Sequence, residues 1–226
     1  MNRFTAEFLG TFFLCLFVMM GNGWSTALGL AALIWALGPV SRAYFNPAIT
    51  LSQRLRGTIT TGWALLYVAA QFLAAGAAAL ASALMIGYNA ERAESSPMGV
   101  PDAWVAALGA ELLGTFLIAL VILGVANSRR TAGNSYAALA IGGAVYGASA
   151  ALGNFSAIFN PAVTASSALH DLFASLRAEQ GVGKAFAMEL IRFGKFAPWA
   201  VCLIATQLVA ALLANACFRV THPEDR

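Results

Sequence analysis

The chain has 226 residues, of which 60% are hydrophobic and only 10% are charged. Soluble domains carry about 25% charged residues, so this composition excludes a compact soluble domain and predicts a multi-span membrane protein. The formal net charge of +3 is small and the basic residues are scattered, which argues against a nucleic-acid partner.

The cysteines do not indicate a disulfide framework or a metal site. The chain has three of them, Cys15, Cys202 and Cys217, and each lies in an apolar run. An odd number without paired spacing is typical of small buried side chains rather than of ligands. We therefore expect no metal and no cofactor.

Six segments have the length and composition of membrane spans. A transmembrane helix needs about 20 mainly apolar residues, and the second and fifth segments are short by this measure. The predicted spans are 5–21, 25–40, 60–86, 103–126, 136–152 and 196–218.

The chain contains an internal repeat. The run AEFLGTF at 6–12 recurs as AELLGTF at 110–116, and Gln71 in the third span matches Gln207 in the sixth. Each half therefore has two spans, an Asn-Pro-Ala triplet and a third span. Because three spans per half is an odd number, the second half must be inverted in the membrane, as in many transport proteins. The sequence predicts one membrane domain with repeats at about 1–95 and 102–226.

The two triplets are Asn46, Pro47 and Ala48, and Asn160, Pro161 and Ala162. Asn is a good N-cap and Pro suits the first helical position, so each triplet predicts a helix start. Each following apolar stretch is about ten residues, or about 15 Å of helix, which is half of the bilayer core. We expect two half-helices that enter from opposite faces and meet at a pore near the middle.

The basic residues predict the orientation. With the N-terminus inside, eight of the 13 basic residues lie on the cytoplasmic side and five on the other. This difference places both termini in the cytoplasm by the positive-inside rule.

Four glycines in the predicted spans indicate where helices pack closely. Gly143 and Gly147 lie four residues apart, and Gly10 and Gly114 lie at matching places in the repeat. These glycines are predicted to permit close helix contacts and have no expected role toward a solute.

Taken together, both triplets, the repeated AExLGTF run, the two glutamines and the length resemble the aquaporin, or major intrinsic protein, family. The resemblance implies an all-α membrane fold with six transmembrane helices and two re-entrant half-helices in an inverted repeat. It also implies a homotetramer in the plasma (inner) membrane, with one pore in each subunit. The expected partners are water, small neutral solutes and the lipid bilayer.

The resemblance gives roles to four polar side chains. Asn46 and Asn160 are expected to point N–H donors at the pore centre, where the positive ends of the half-helices repel cations. Glu7 and Glu111 are carboxyl groups within apolar spans, and the resemblance implies that each braces a re-entrant loop.

Three readings of the function remain open. The favoured one is a passive channel for water or small neutral solutes, such as glycerol-like molecules, ammonia or metalloid hydroxides. A proton-coupled secondary transporter would use Glu7 or Glu111, and a third possibility is a structural membrane protein with a closed pore. An enzyme is not expected, because both histidines lie outside the predicted spans and no nucleophile–base pair is apparent.

The expected outer filter departs from the family pattern. Most members have arginine directly after the second triplet, whereas this chain has Val163. The other filter positions fall on Ala157, on Ala148 or Ser149, and near Leu28. This set predicts a wide, apolar filter, and the chain is similar to a branch of bacterial members with Val here that pass bulkier neutral solutes.

The cytoplasmic mouth departs as well, because Arg42 and Tyr44 replace the family's Gly-His region. Either both side chains simply pack in the vestibule, or Tyr44 narrows the inner mouth and restores some selectivity.

The second half also carries an insertion at about 171–195. Its apolar positions alternate with charges, which predicts short amphipathic helices on the outer face, lying on the membrane or on a neighbouring subunit. A lid over the pore is the alternative.

Overall fold

The structure of the chain is a computed structural model, and it describes residues 2–86, 104–175 and 182–225. The described residues form eight α-helices and no strand, which confirms the all-α fold class. The helices are α1 (Arg3–Met20), α2 (Gly23–Ser41), α3 (Pro47–Leu55), α4 (Thr61–Ile86), α5 (Trp104–Ile122), α6 (Ala137–Leu152), α7 (Pro161–Ser175) and α8 (Val182–Thr221). A π-helical turn (Leu123–Asn127) continues α5, and short 3-10 turns lie at Arg129–Thr131 and Pro223–Asp225.

The long helices match the predicted spans. The first, second, fourth and fifth helices and the C-terminal part of α8 are long and apolar enough to cross a membrane, and α6 is a shorter apolar helix of 16 residues. The chain is thus a multi-pass membrane protein. Its two remaining helices, α3 and α7, begin at the proline of each triplet.

The tight connection between α1 and α2 follows from local chemistry. Asn22 caps α2 by accepting hydrogen bonds from the backbone N–H groups of Trp24 and Ser25. The Ser25 hydroxyl in turn accepts from the Asn22 backbone N–H, which completes a capping box. Because these bonds satisfy the first free N–H groups of α2, the chain can reverse direction within two residues.

The two halves interlock through the short helices. Within the halves, α1 packs on α2 and α4, and α5 packs on α6 and α8. Between the halves, α2 packs on α6, α3 packs on α8 and α7 packs on α4. Each short helix is therefore held by a long helix of the opposite half.

The repeated glycines make space for aromatic rings rather than for a neighbouring helix. A Cβ atom at Gly10 would overlap the ring of Phe45, and one at Gly114 would overlap the ring of Phe159. Within one subunit, Gly143 and Gly147 make no close helix contact, because both are exposed and a Cβ atom there would have no neighbour within 4 Å. The close contact lies at the adjacent Gly142, which faces the Ala27 backbone of α2.

The insertion differs from its prediction. Within the described residues, α7 continues to Ser175 and α8 is one helix of 40 residues from Val182 to Thr221. Such a helix is about 60 Å long, about twice the bilayer core. A membrane helix that has already formed propagates at little cost, so a single glycine such as Gly194 does not end it. The expected separate short helices are therefore wrong for 182–195, and 176–181 lie outside the described residues.

Candidate functional site

The helices enclose a cavity of about 620 Å³ that runs past both triplets. We name its two ends by the predicted orientation: the outer end lies at the start of α2, and the inner end lies at the loop before α3, the last turn of α3 and the end of α5. Of the predicted site residues, the cavity is lined by Arg42, Tyr44, Asn46, Ser149, Ala157, Asn160 and Val163.

Asn46 caps α3 and reaches across to the other half. Its side-chain oxygen accepts from the backbone N–H groups of Ala48 and Ile49, at 2.9 and 3.4 Å. Its side-chain N–H donates to the backbone carbonyl of Phe159, at 3.0 Å. The oxygen and one N–H are thus used within the protein, and among the described residues the second N–H has no partner on this cavity-lining side chain.

Asn160 makes the equivalent contacts from the other half. Its side-chain oxygen accepts from the N–H of Ala162 at 2.9 Å, and its N–H donates to the carbonyl of Phe45 at 3.0 Å. Phe45 and Phe159 adopt the left-handed conformation, with φ of 49° and 51°. Two asparagines that offer only donors orient the oxygen of a bound water toward them, and such a water cannot readily relay a proton.

The other triplet residues hold the two helix starts together. Pro47 and Pro161 are each the first residue of a helix, and both are buried. Ala48 and Ala162 are completely buried, and none of these four residues lines the cavity. Their small or rigid side chains suit a position between two half-helices that meet end to end.

Glu7 is completely buried and holds the loop before α3. Its carboxylate accepts from the Ser41 hydroxyl at 2.7 Å and from the backbone N–H groups of Tyr44 and Phe45 at 3.0 and 2.8 Å. The side-chain amide of Gln71 donates to it at 2.9 Å. Glu7 does not line the cavity.

Glu111 repeats this pattern before α7. It accepts from the Ser156 hydroxyl, from the N–H groups of Ile158 and Phe159 at 2.8 and 2.7 Å, and from Gln207 at 2.7 Å. Glu111 is also completely buried and does not line the cavity. With all these donors supplied by the protein, neither carboxylate is placed to contact a solute.

The inner end carries a polar network. The Tyr44 hydroxyl lies 3.3 Å from the Thr58 hydroxyl, and the Arg42 guanidinium donates to the Thr58 carbonyl at 3.3 Å. The side-chain amides of Gln53 and Asn127 form two reciprocal hydrogen bonds, at 2.8 and 2.9 Å. Both amides line the cavity.

Comparisons with known proteins identify the family. The model of the family described as Major intrinsic protein matches residues 1–172. This chain is a member of the major intrinsic protein family. The family consists of channels rather than enzymes, and the chain is accordingly a passive channel for water or small neutral solutes.

Several relatives of this major intrinsic protein are at least 30% identical to it. A probable aquaporin AqpM of Archaeoglobus fulgidus is 32% identical over 199 residues, which are 72% of this chain and 80% of the relative. Aquaporin AqpM of Methanothermobacter marburgensis is 30% identical, over 76% of this chain and 84% of the relative. Aquaporin-5 of Mus musculus is 39% identical, over 61% of this chain and 57% of the relative.

The cavity lining contradicts one expected filter position, Leu28, and distinguishes between the alternatives Ala148 and Ser149. Leu28 does not line the cavity, because its side chain points away from it and is 57% exposed. The residues of α2 that do line it recur at helical spacing, at Gly23, Thr26, Leu30 and Ile34. Thr26 and Leu30 are the lining residues of α2 on either side of Leu28.

On α6, the two alternative filter residues are adjacent in sequence but face different surroundings. Ser149 lines the cavity, whereas Ala148 is buried in the protein core. The residues of α6 that line the cavity recur every fourth position, at Ala137, Ile141, Val145 and Ser149. Ala148 thus lies on the neighbouring face of the helix.

Sequence reasoning did not identify Thr26, Gln53 or Asn127 in this major intrinsic protein. A usable signal was present for the last two, because each is an amide at the edge of an apolar segment, where polar side chains are costly unless they are partnered. For Thr26, the signal was its position four residues before Leu30, on the same face of α2.

Proposed function

We propose that this cavity is the conducting pore and that it passes water and neutral solutes at least as large as glycerol. The observation that carries the proposal is Val163, which lines the cavity where the family resemblance leads us to expect arginine. A guanidinium would fill part of the lumen and supply fixed donors, and a valine does neither. Val163 therefore sets a wide outer filter, together with Ala157, Ser149 and Thr26.

The width of the lumen decides how water crosses an apolar filter. A single water in a tight apolar lumen gives up hydrogen bonds, at a cost of about 1–3 kcal/mol for each unmet group. A wide lumen avoids this cost, because water enters with its neighbours.

The outer end also offers hydroxyl groups on one side. Thr26 and Ser149 come from α2 and α6, which pack together, whereas Val163 lies in α7 and Ala157 lies in the loop before it. A solute with a carbon skeleton and hydroxyl groups can place its apolar edge against Val163 and its polar edge against the two hydroxyls. This arrangement favours glycerol-like molecules.

We infer that the protein is a homotetramer of the plasma membrane with both termini in the cytoplasm. The family resemblance supports the tetramer, and the excess of basic residues supports the orientation. Large apolar side chains at the surface, such as Trp35 at 53% and Leu65 at 67% exposure, suit contact with lipid or with another subunit. The repeats 1–95 and 102–226 form one domain in this proposal, and the equivalent contacts of Glu7 and Glu111 support it.

The proposed function is tested with purified protein in liposomes. Stopped-flow light scattering measures permeability to water, glycerol, urea and ammonia, and an uptake assay measures neutral metalloid hydroxides. We expect glycerol permeability well above that of empty liposomes, without any proton gradient. Accumulation of solute above the external concentration, driven by a proton gradient, would indicate a transporter, and permeability equal to empty liposomes would indicate a closed structural protein.

A further inference from the structure

The hydrogen bonds at the inner end use the side-chain oxygens of two amides but leave N–H donors free. The Gln53 side-chain oxygen accepts from the Asn127 amide at 2.9 Å and from the Thr58 hydroxyl at 2.8 Å. The Asn127 side-chain oxygen accepts from the Gln53 amide at 2.8 Å. Each amide carries two N–H donors and uses one of them in the pair. Among the described residues, the second N–H of each amide has no partner, and both side chains line the cavity.

Thr58, which Tyr44 contacts, holds the Gln53 amide in place. The single Thr58 hydrogen is directed at Gln53, since the Thr58 hydroxyl lies 2.9 Å from the Gln53 carbonyl and 2.8 Å from its side-chain oxygen. Tyr44 must then be the donor in its 3.3 Å contact with Thr58. The tyrosine hydrogen is thus used within the protein, and the network fixes which side of the Gln53 amide carries the free N–H.

Arg42 adds further donors. Its guanidinium carries a positive charge, five N–H donors and no acceptor. It lines the cavity, is exposed, and is anchored to the Thr58 carbonyl at 3.3 Å. The inner end therefore combines a fixed positive charge with N–H donors from three side chains.

The helical turn that ends at Asn127 is wider than an α-helical turn. The five residues Leu123–Asn127 form a π-helical turn at the end of α5. Each residue of a helix rotates the side-chain direction by about 100°, so a widened turn changes which residue faces a given wall. Such turns are frequent at functional sites.

We propose that Arg42, Gln53 and Asn127 form a second selectivity filter at the inner end, which selects neutral solutes that carry an exposed oxygen acceptor. This proposal rests on the proposed function, because it names the class of solute that the same pore prefers. Among the described residues that line the cavity, Arg42 at the inner end is the one cation, and Val163 stands at the outer end where the family resemblance leads us to expect arginine. The inner filter supplies donors and positive charge at the other end, so it favours carbonyl and hydroxyl oxygens and disfavours cations.

Urea and thiourea test the proposal because they differ mainly in the acceptor, an oxygen or a weakly accepting sulfur. Wild-type protein should conduct urea faster than thiourea. Gln53→Met combined with Asn127→Leu replaces both amides with apolar side chains of similar length and removes their donors. We expect urea permeability to fall about two- to tenfold relative to water, and the urea-to-thiourea ratio to fall toward one.

Matched variants separate recognition from folding. Asn154→Leu makes the same amide-to-aliphatic change in the exposed loop after α6, outside the cavity lining, and should leave the ratio unchanged. At the exposed Arg42, Arg42→Lys should keep most of the ratio and Arg42→Met should lower it. These two variants do not alter the buried amide pair, so they test the proposal even if the double variant does not fold.

The outcomes distinguish this proposal from the proposed function. A wild-type protein without urea or glycerol flux would overturn the proposed function itself. A wild-type protein that conducts both ureas equally, or an Arg42→Met variant with an unchanged ratio, would overturn the inner filter alone.

Discussion

The aromatic ring of Phe45 occupies the space in which a side chain at Gly10 would lie. The same relationship holds between Phe159 and Gly114 in the second half. Each ring precedes an Asn-Pro-Ala triplet and belongs to a residue with left-handed backbone, so its position determines where the following asparagine caps its helix. In each half, the glycine of the AExLGTF run thereby positions the Asn-Pro-Ala triplet.

This relationship predicts the effect of adding one methyl group. Gly10→Ala or Gly114→Ala should destabilise the protein by about 3 kcal/mol or prevent assembly, because a buried ring cannot move aside without shifting the re-entrant loop. Thermal unfolding of purified protein, together with yield and elution volume, measures the effect. Gly143→Ala is the matched control, because a Cβ atom there meets no neighbour within 4 Å. Equal stability of all three variants would contradict this account of the glycines.

Glu7→Gln and Glu111→Gln should harm folding more than selectivity. Each carboxylate accepts from two backbone N–H groups, and an amide replaces one oxygen with a donor that faces those donors. Hydrogen bonds to charged groups are worth about 1.5–3 kcal/mol each, so we expect lower yield and earlier unfolding.

The protein that does fold in the Glu7→Gln and Glu111→Gln variants should keep the wild-type ratio of water to glycerol flux, since neither carboxylate lines the cavity. A variant that assembles normally but loses proton-dependent uptake would support the transporter reading instead.

The C-terminal residues of the described chain fasten the loop after α5, outside the membrane. Asp225 accepts from the Arg129 backbone N–H at 3.1 Å, and Glu224 pairs with Arg130 at 2.7 Å. The Ser128 side chain, followed by the Arg129 N–H and guanidinium, holds the pKa of Asp225 below its usual range despite burial. This loop directly follows Asn127 of the inner filter.

The lowered pKa of Asp225 gives a pH-dependent stability contribution. A carboxyl whose pKa is depressed on folding stabilises the protein fully above its unfolded pKa of about 4, and this contribution is lost as the pH falls through the folded pKa. Asp225→Asn should therefore lower the unfolding temperature at pH 7 and have a smaller effect near pH 3. Unfolding followed by intrinsic fluorescence in detergent checks this, and an equal effect at both pH values would refute it.

Sequence reasoning succeeded where the signal is local or repeated. An Asn-Pro pair specifies a helix start by its own chemistry, and its recurrence with the AExLGTF run indicated the inverted halves. It failed where the outcome depends on distant packing. The direction of Leu28 depends on how α2 is rotated against α6, and the pairing of Gln53 with Asn127 joins residues 74 positions apart. The length of α8 reflects the cooperativity of one long helix rather than the amphipathic pattern of 182–195.

The outer filter gives the last prediction. Val163→Arg places a guanidinium in the cavity near Thr26 and Ser149, where it fills part of the lumen and supplies fixed donors. Water can use those donors and needs little space, whereas glycerol must pass through the narrowed section. We expect the substitution to reduce glycerol flux at least about tenfold and water flux much less, when both are measured by stopped-flow light scattering on liposomes with equal protein content. Val163→Met is the control, because it fills the lumen without donors and should reduce both fluxes. If Val163→Arg left the glycerol flux unchanged, or if the wild-type filter passed water but no glycerol, the outer end would not set selectivity by its width.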